Sequence, residues 1–132
     1  MSILKYIVTL LFVIVGFINF APLMGVLGQA RLETLYGVEI NSPDMLLLLR
    51  HRAVLFGIVG GYIILSAFKP TLRKTATIFG FLSMISFVWL YPSNSPSNAL
   101  LDRVLQIDVI AIVLLAVGYG MHNFFERSKT NT

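Results

Sequence analysis

Two arginines and a histidine, Arg50, His51 and Arg52, stand together in the run "LLLLRHRAVLFGIVGGYIILSAF", residues 46–68, which is otherwise as apolar as lipid. Charged side chains at membrane depth are costly, so they face a bundle interior, pair with one another, or snorkel to the interface. Helical geometry sorts the three. At 3.6 residues per turn, Arg50 lies about 20° from Gly57, and Arg52 lies about 140° away from it. Arg50 therefore shares a stripe with Ala53, Gly57 and Gly60, small residues that let helices approach closely in lipid. The last apolar run has its own polar stripe: Asp108, Ala111, Leu115, Tyr119 and His122 recur at helical spacing. Measured from Lys69 and Glu126 at the ends of their runs, Arg50 and Asp108 stand at ~28 Å and ~27 Å of helix, the same level. The expectation is a structural ion pair between Arg50 and Asp108, with Arg52 snorkelling at the interface.

The same residues could bind a ligand. A guanidinium, an imidazole and a carboxylate at one level give a polar pocket from Arg50, His51 and Asp108, with Asn19 about a turn deeper on the first run. Such a pocket suits a lipophilic molecule with an anionic or carbonyl head. Pro22 removes the hydrogen bond to the carbonyl of Ile18 and is expected to open the helix beside Asn19. His122, in the last turn of its run, suits the negative end of the helix dipole. Glu33 and Glu39 read as solvated loop charges. No residue is assigned a catalytic role. An enzymatic alternative would use Asp108 as base and Arg50 as oxyanion partner.

Other chemistries find no residues. His51 and His122 fall at opposite ends of their runs, and the chain has no cysteine, so no metal site follows from spacing. "GIVGG" lies inside an apolar span, follows no strand, and is closed by no lysine as a phosphate loop would be. There is no nucleophile-elbow pattern. No cofactor is assigned.

The elements that must carry these residues are plain from composition. Of 132 residues, 57% are hydrophobic and 12% charged, and the mean hydropathy is +0.84, whereas soluble domains are about 25% charged. The net charge of +4 is spread among apolar runs rather than gathered on one face, so it speaks for orientation in a membrane and not for nucleic acid. Four runs, about 3–27, 45–68, 72–91 and 99–125, each reach the ~20 residues that cross a bilayer, and without water each must be a helix. The first is too long and too aromatic for a signal-peptide core. Ser42-Pro43-Asp44 reads as an N-cap, a first-turn proline and a first-turn acid. Lys69-Pro70-Thr71 makes a short turn, and "YPSNSPSN", residues 91–98, makes a second link. The outer loop, 28–44, contains "QARLETLYGVEI", which is amphipathic. Leu32, Leu35 and Tyr36 share one of its faces, so it is expected to cap the bundle mouth.

Basic residues set the direction. Lys5, Lys69, Arg73, Lys74, Arg127 and Lys129 fall on one side, and the loops and ends of the other hold Arg31 and Arg103. Both termini are therefore expected in the cytoplasm, with Trp89 and Tyr91 at the outer interface. The fold expected is an all-α integral membrane four-helix bundle forming a single domain over 1–132.

The proline late in the first span ("NFAPLMG"), "LYGV" in the loop and the arginine-rich start of the second span resemble the DoxX-like group of small bacterial four-helix membrane proteins, closest to an uncharacterised-domain family within it. The resemblance covers almost the whole chain. It implies a multi-pass protein of the bacterial inner membrane. Some relatives carry the name phosphopantetheine adenylyltransferase, but the H-x-G-H motif of that soluble enzyme does not occur here. Links of the group to quinone or thiol redox chemistry meet a chain without cysteine. The function expected is therefore binding of a lipophilic small molecule, or an accessory role in the membrane. The alternatives are a membrane enzyme acting on a quinone- or lipid-like substrate and a structural subunit of a larger membrane complex. The partners implied are membrane lipid, a lipophilic small molecule and another membrane protein, with no nucleic acid.

Overall fold

A computed structural model describes residues 2–92 and 98–130. The described residues are helical, with no strand among them. Helix α1 runs Ser2–Phe20 and continues as a 3₁₀ stretch, Ala21–Leu27; α2 is Gln29–Tyr36, α3 Pro43–Phe68, α4 Arg73–Leu90 and α5 Ala99–Thr130. Three stretches are long and apolar enough to cross a membrane: Ile3–Leu27, Pro43–Phe68 and Ala99–Thr130. Of the link expected over 91–98, the part 93–97 lies outside the described residues.

The helices form a ring in which α1 packs on α3, α3 on α4, α4 on α5, and α5 back on α1. Neighbours run antiparallel, because positions early in one helix meet positions late in the next. Thr9 reaches Ala67 whereas Leu23 lies against Gly57, and Arg73 reaches His122 whereas Tyr91 bonds Asp102. The two ends differ. One gathers the start of α1 and the end of α5, where Leu4 and Phe125 line one hollow, so both described ends of the chain lie there. The other is covered by α2.

Periodicity explains the core. Val8, Phe12 and Val15 bury one face of α1, and Ile63, Ala76, Met84, Ala111 and Leu115 answer from the other three helices. The opposite faces are apolar and exposed: Ile3, Leu10 and Phe17 on α1, Leu55 and Ile58 on α3, Phe79 and Leu82 on α4, Ile110 and Val113 on α5. An apolar belt of this extent is what lipid solvates and water does not.

The tightest contact is between the backbones of α1 and α3. A Cβ built on Gly60 would lie 2.4 Å from the amide nitrogen of Phe20 and 2.7 Å from the carbonyl oxygen of Gly16. These are main-chain atoms, which cannot swing aside as a side chain can. At the uncapped end, buried Arg73 ties three helices together. Its Nη2 donates to the Ala67 carbonyl at 2.8 Å and to Thr9 Oγ1 at 3.4 Å, its Nε to the Ser66 carbonyl at 3.3 Å, and its Nη1 meets His122 Nδ1 at 3.2 Å. A guanidinium only donates, so Nδ1 of His122 accepts in this contact. Arg73 thus closes the open carbonyls at the end of α3, a role the basic-residue count alone did not reveal.

The capped end is held by its own polar groups. Ser42 Oγ accepts from the Met45 amide at 3.1 Å and caps α3, with Pro43 and Asp44 in the first turn. Leu32, Tyr36 and Ile40 are buried in a second apolar cluster, with Leu35, Leu49 and Leu101 packed around them. Glu33 is not the free loop charge expected from sequence. Its carboxylate accepts from Gln29 Nε2 at 2.9 Å and from the Ile40 amide at 3.0 Å, and those bonds hold its pKa below the ordinary glutamate value. Gly37 ends α2 at φ 63°, a left-handed conformation that glycine adopts without steric cost. Asn98 joins α2 to α5: its Nδ2 donates to the carbonyls of Tyr36 and Gly37, both at 2.8 Å, and its Oδ1 accepts from the Leu100 amide at 3.0 Å.

The backbone contact at Gly60 yields a measurable expectation. Gly60→Ala forces α1 and α3 apart and costs about 1–3 kcal/mol, read as a lowered melting temperature in detergent. Gly120→Ala is the control, because a Cβ there meets nothing within 4 Å. Equal melting of the two variants would remove the Gly60 contact as a determinant of packing.

Candidate functional site

Beneath α2, five elements enclose a cavity of about 270 Å³. Asn19 comes from α1, Pro22 from the 3₁₀ stretch, Tyr36 from α2, Arg52 and Phe56 from α3, and Asp108 from α5. The local sequence places each. Helix α1 gives way to 3₁₀ geometry at Ala21, one residue before Pro22, which has no amide to continue the α-helical ladder. That change leaves the turn around Ile18 and Asn19 facing the space between helices. Asn19 is 3% exposed; its Nδ2 donates to the Val15 carbonyl at 3.0 Å and meets Met84 Sδ at 3.5 Å. With its amide nitrogen so engaged, it offers the cavity its carbonyl oxygen.

Arg52, and not Arg50, is the inward arginine. Arg52 is half-buried, with its guanidinium carbon 5.1 Å from the ring centres of Phe56 and Phe87 and 5.4 Å from that of Tyr36. Arg50 and His51 are exposed. The expected Arg50–Asp108 pair does not form, and neither Arg50 nor His51 lines the cavity. The reason is the height at which neighbours stop. The stripe Ala53-Gly57-Gly60 faces α1 and its 3₁₀ extension, and Gly25, near the end of that extension, is already at the level of Ala53. One turn further out, toward Arg50, that neighbour is at its end, since the 3₁₀ stretch stops at Leu27. The inward direction there is set by α2 and α5, which pack on the face of Met45, Leu49, Arg52 and Phe56. The sequence carries this signal as the 4-3-4 spacing of those four residues, alongside the glycine stripe.

Asp108 sits as the periodicity of α5 requires. It is 8% exposed and lines the cavity. Arg52 is the cation within Coulombic reach of it, yet no ion pair within 4.0 Å joins the two. Among the described residues nothing donates a hydrogen bond to the Asp108 carboxyl, and Arg52 donates to none. Burial raises the Tyr36 phenol above its ordinary pKa, so it stays a neutral hydroxyl on the cavity roof.

No family model, curated protein or solved structure matches this chain.

The cavity does not stand alone. Arg52 and Phe56 also form one wall of a larger groove between α3 and α4, of about 560 Å³, where Ser83, Ser86 and Tyr91 supply hydroxyls. Leu55 and Leu90 line the groove and belong to the exposed apolar belt, so it opens on the side that lipid covers. On the other flank, a hollow of about 490 Å³ carries Arg31 and Arg103 and shares Ala21, Leu35, Val104 and Ile107 with the cavity. Of the three rings around the Arg52 guanidinium, Phe56 and Phe87 were not singled out from sequence, and Tyr36 was singled out only as part of the cap. An aromatic residue in an apolar helix looks like any other core residue until its partner is known.

The exchange of roles between the two arginines is open to a double-mutant cycle. Arg52→Ala is expected to lower detergent stability by about 1–2 kcal/mol through the lost ring contacts, while Arg50→Ala changes it by less than about 0.5 kcal/mol. Arg52→Ala and Asp108→Ala should be non-additive by about 0.5 kcal/mol or more. Arg50→Ala and Asp108→Ala should add, and coupling confined to that second pair would restore Arg50 as the partner.

Proposed function

We propose that this chain is a small multi-pass membrane protein that binds a lipophilic molecule by its polar head in the cavity between Asn19, Arg52 and Asp108. The observation that carries the reading is the pair of unspent charges: a ring-boxed guanidinium and a buried carboxyl share one space without meeting. A purely structural pair would close to hydrogen-bonding distance, because buried opposite charges gain most when they touch. Here the two line one cavity of about 270 Å³, room for a polar head, and the neighbouring groove of about 560 Å³ is wide and apolar enough for a chain.

Helix α4 is the fourth span in this reading. Its 18 residues reach ~27 Å, and Ile78, Phe79, Leu82 and Ile85 continue the exposed belt around it. Both termini lie in the cytoplasm, because Lys5, Lys69, Lys74, Arg127 and Lys129 gather at the uncapped end with Arg73. The capped end then lies in the outer leaflet, with exposed Trp89 at the interface. The resemblance to the DoxX-like group supports a bacterial inner-membrane setting.

Native mass spectrometry of the protein extracted with its lipids tests the binding. A retained small-molecule adduct that Arg52→Gln weakens is the expected result. A bare protein, or one retaining a second protein instead, would favour a structural subunit. Orientation is read from single cysteines at exposed Asn41 and Thr71. Asn41→Cys should react with an impermeant thiol reagent in intact cells and Thr71→Cys should not, and the reverse pattern would invert the protein in the membrane.

A further inference from the structure

We infer that the head group held by this cavity is zwitterionic, a phosphate or carboxylate joined to a primary ammonium, as in an aminophospholipid. The inference rests on the binding reading above and narrows its ligand. Three observations carry it. First, Arg52 brings five N–H donors to the cavity wall, and its contacts among the described residues are ring faces. Ring faces take up none of those donors in conventional hydrogen bonds, so the fork keeps them for a ligand, and its geometry matches the two oxygens of a phosphate or carboxylate. Second, Asp108, more than nine-tenths buried, lines the same cavity with no described donor on its carboxyl. Asn19 adds a carbonyl oxygen to the same cavity, since its Nδ2 is bound to Val15. Two acceptors on the α1–α5 side ask for a ligand that donates there, which a plain phosphodiester or a quinone does not. Third, the donor wall and the acceptor wall are separate. Arg52 feels the charge of Asp108 without lying within 4.0 Å of it.

A ligand of one sign would satisfy one wall and repel the other. A zwitterion satisfies both, with its anion on Arg52 and its ammonium between Asp108 and Asn19. A primary ammonium has three N–H groups to give and a trimethylated one has none, so the site should separate the two although both carry the same charge. The apolar groove on the far side of Arg52 and Phe56, open toward Leu55 and Leu90, takes the acyl chains and places the source of the ligand in the membrane.

The test uses the full-length protein, delipidated in detergent and titrated by native mass spectrometry. The probes are phosphatidylethanolamine, phosphatidylcholine and phosphatidylglycerol of identical chains, with free phosphoethanolamine as competitor. The expected result is retention of phosphatidylethanolamine by about tenfold over the other two, the ratio given by one charge-assisted hydrogen bond. Asp108→Asn should abolish that preference while leaving the weaker binding of phosphatidylglycerol in place, and Arg52→Gln should weaken all three. The comparison of lipids on the unaltered protein needs no variant, so a poorly folding mutant does not blunt it. Phosphatidylglycerol bound as tightly as phosphatidylethanolamine would overturn the zwitterion and leave a simple anion-binding cavity. No lipid retained by the unaltered protein would overturn the binding reading itself. Asp108-dependent binding of phosphoethanolamine that matches the lipid would keep the zwitterion and move its source to water. Failure of the free head group to compete keeps the source in the membrane.

Discussion

The close passage of α1 over α3 at Gly16 and Gly60 is the contact on which the rest of the bundle depends. In lipid no hydrophobic force draws helices together, so association rests on close packing and on polar groups that find partners. Main chain lying on main chain over a full turn fixes where α1 stands and how far up α3 it reaches. From there Pro22 converts its last turns to 3₁₀ geometry, and the chain leaves for α2 soon after passing Ala53. The cavity lies where this departure occurs. It is bounded below by the tight contact and above by the α2 cap, and it opens because α1 ceases to be an α-helix at that height.

The same geometry accounts for what could and could not be read from the sequence. All-helical architecture, the glycine stripe, the caps at Ser42 and the amphipathic cover of Leu32 and Tyr36 follow from local patterns of three to seven residues, and the structure has each of them. Asn19 was reached through the depth comparison and Pro22 beside it, and Asp108 was legible as an inward position because it lies on the stripe Asp108-Ala111-Leu115, which is buried throughout. Arg50 and Arg52 were not, because α3 changes neighbours between Ala53 and Leu49, and helical phase alone does not say where one neighbour ends and the next begins. A two-residue step reverses which arginine faces in. Glu33 and Arg73 escaped for a related reason. Their partners are main-chain groups, Ile40 in one case and Ser66 and Ala67 in the other, and backbone amides and carbonyls leave no mark in a sequence.

The polar groups at the two ends of the bundle are used differently. At the uncapped end Arg73 meets carbonyls, a hydroxyl and an imidazole, so its donors are engaged by the protein itself. At the capped end Arg52 meets three aromatic faces, which orient a guanidinium without exhausting it. Residue type does not distinguish the two arginines; what separates them is whether their surroundings accept hydrogen bonds. A satisfied guanidinium stiffens the fold, and an unsatisfied one in an apolar frame remains available to a partner from outside the chain.

The Arg73 knot also concentrates much of the bundle's polar fastening in one side chain. It fastens α1, the end of α3 and α5 to α4 at one point far from the cavity. Removing that one guanidinium would unfasten four helices at once, whereas the backbone contact at Gly60 ties only two.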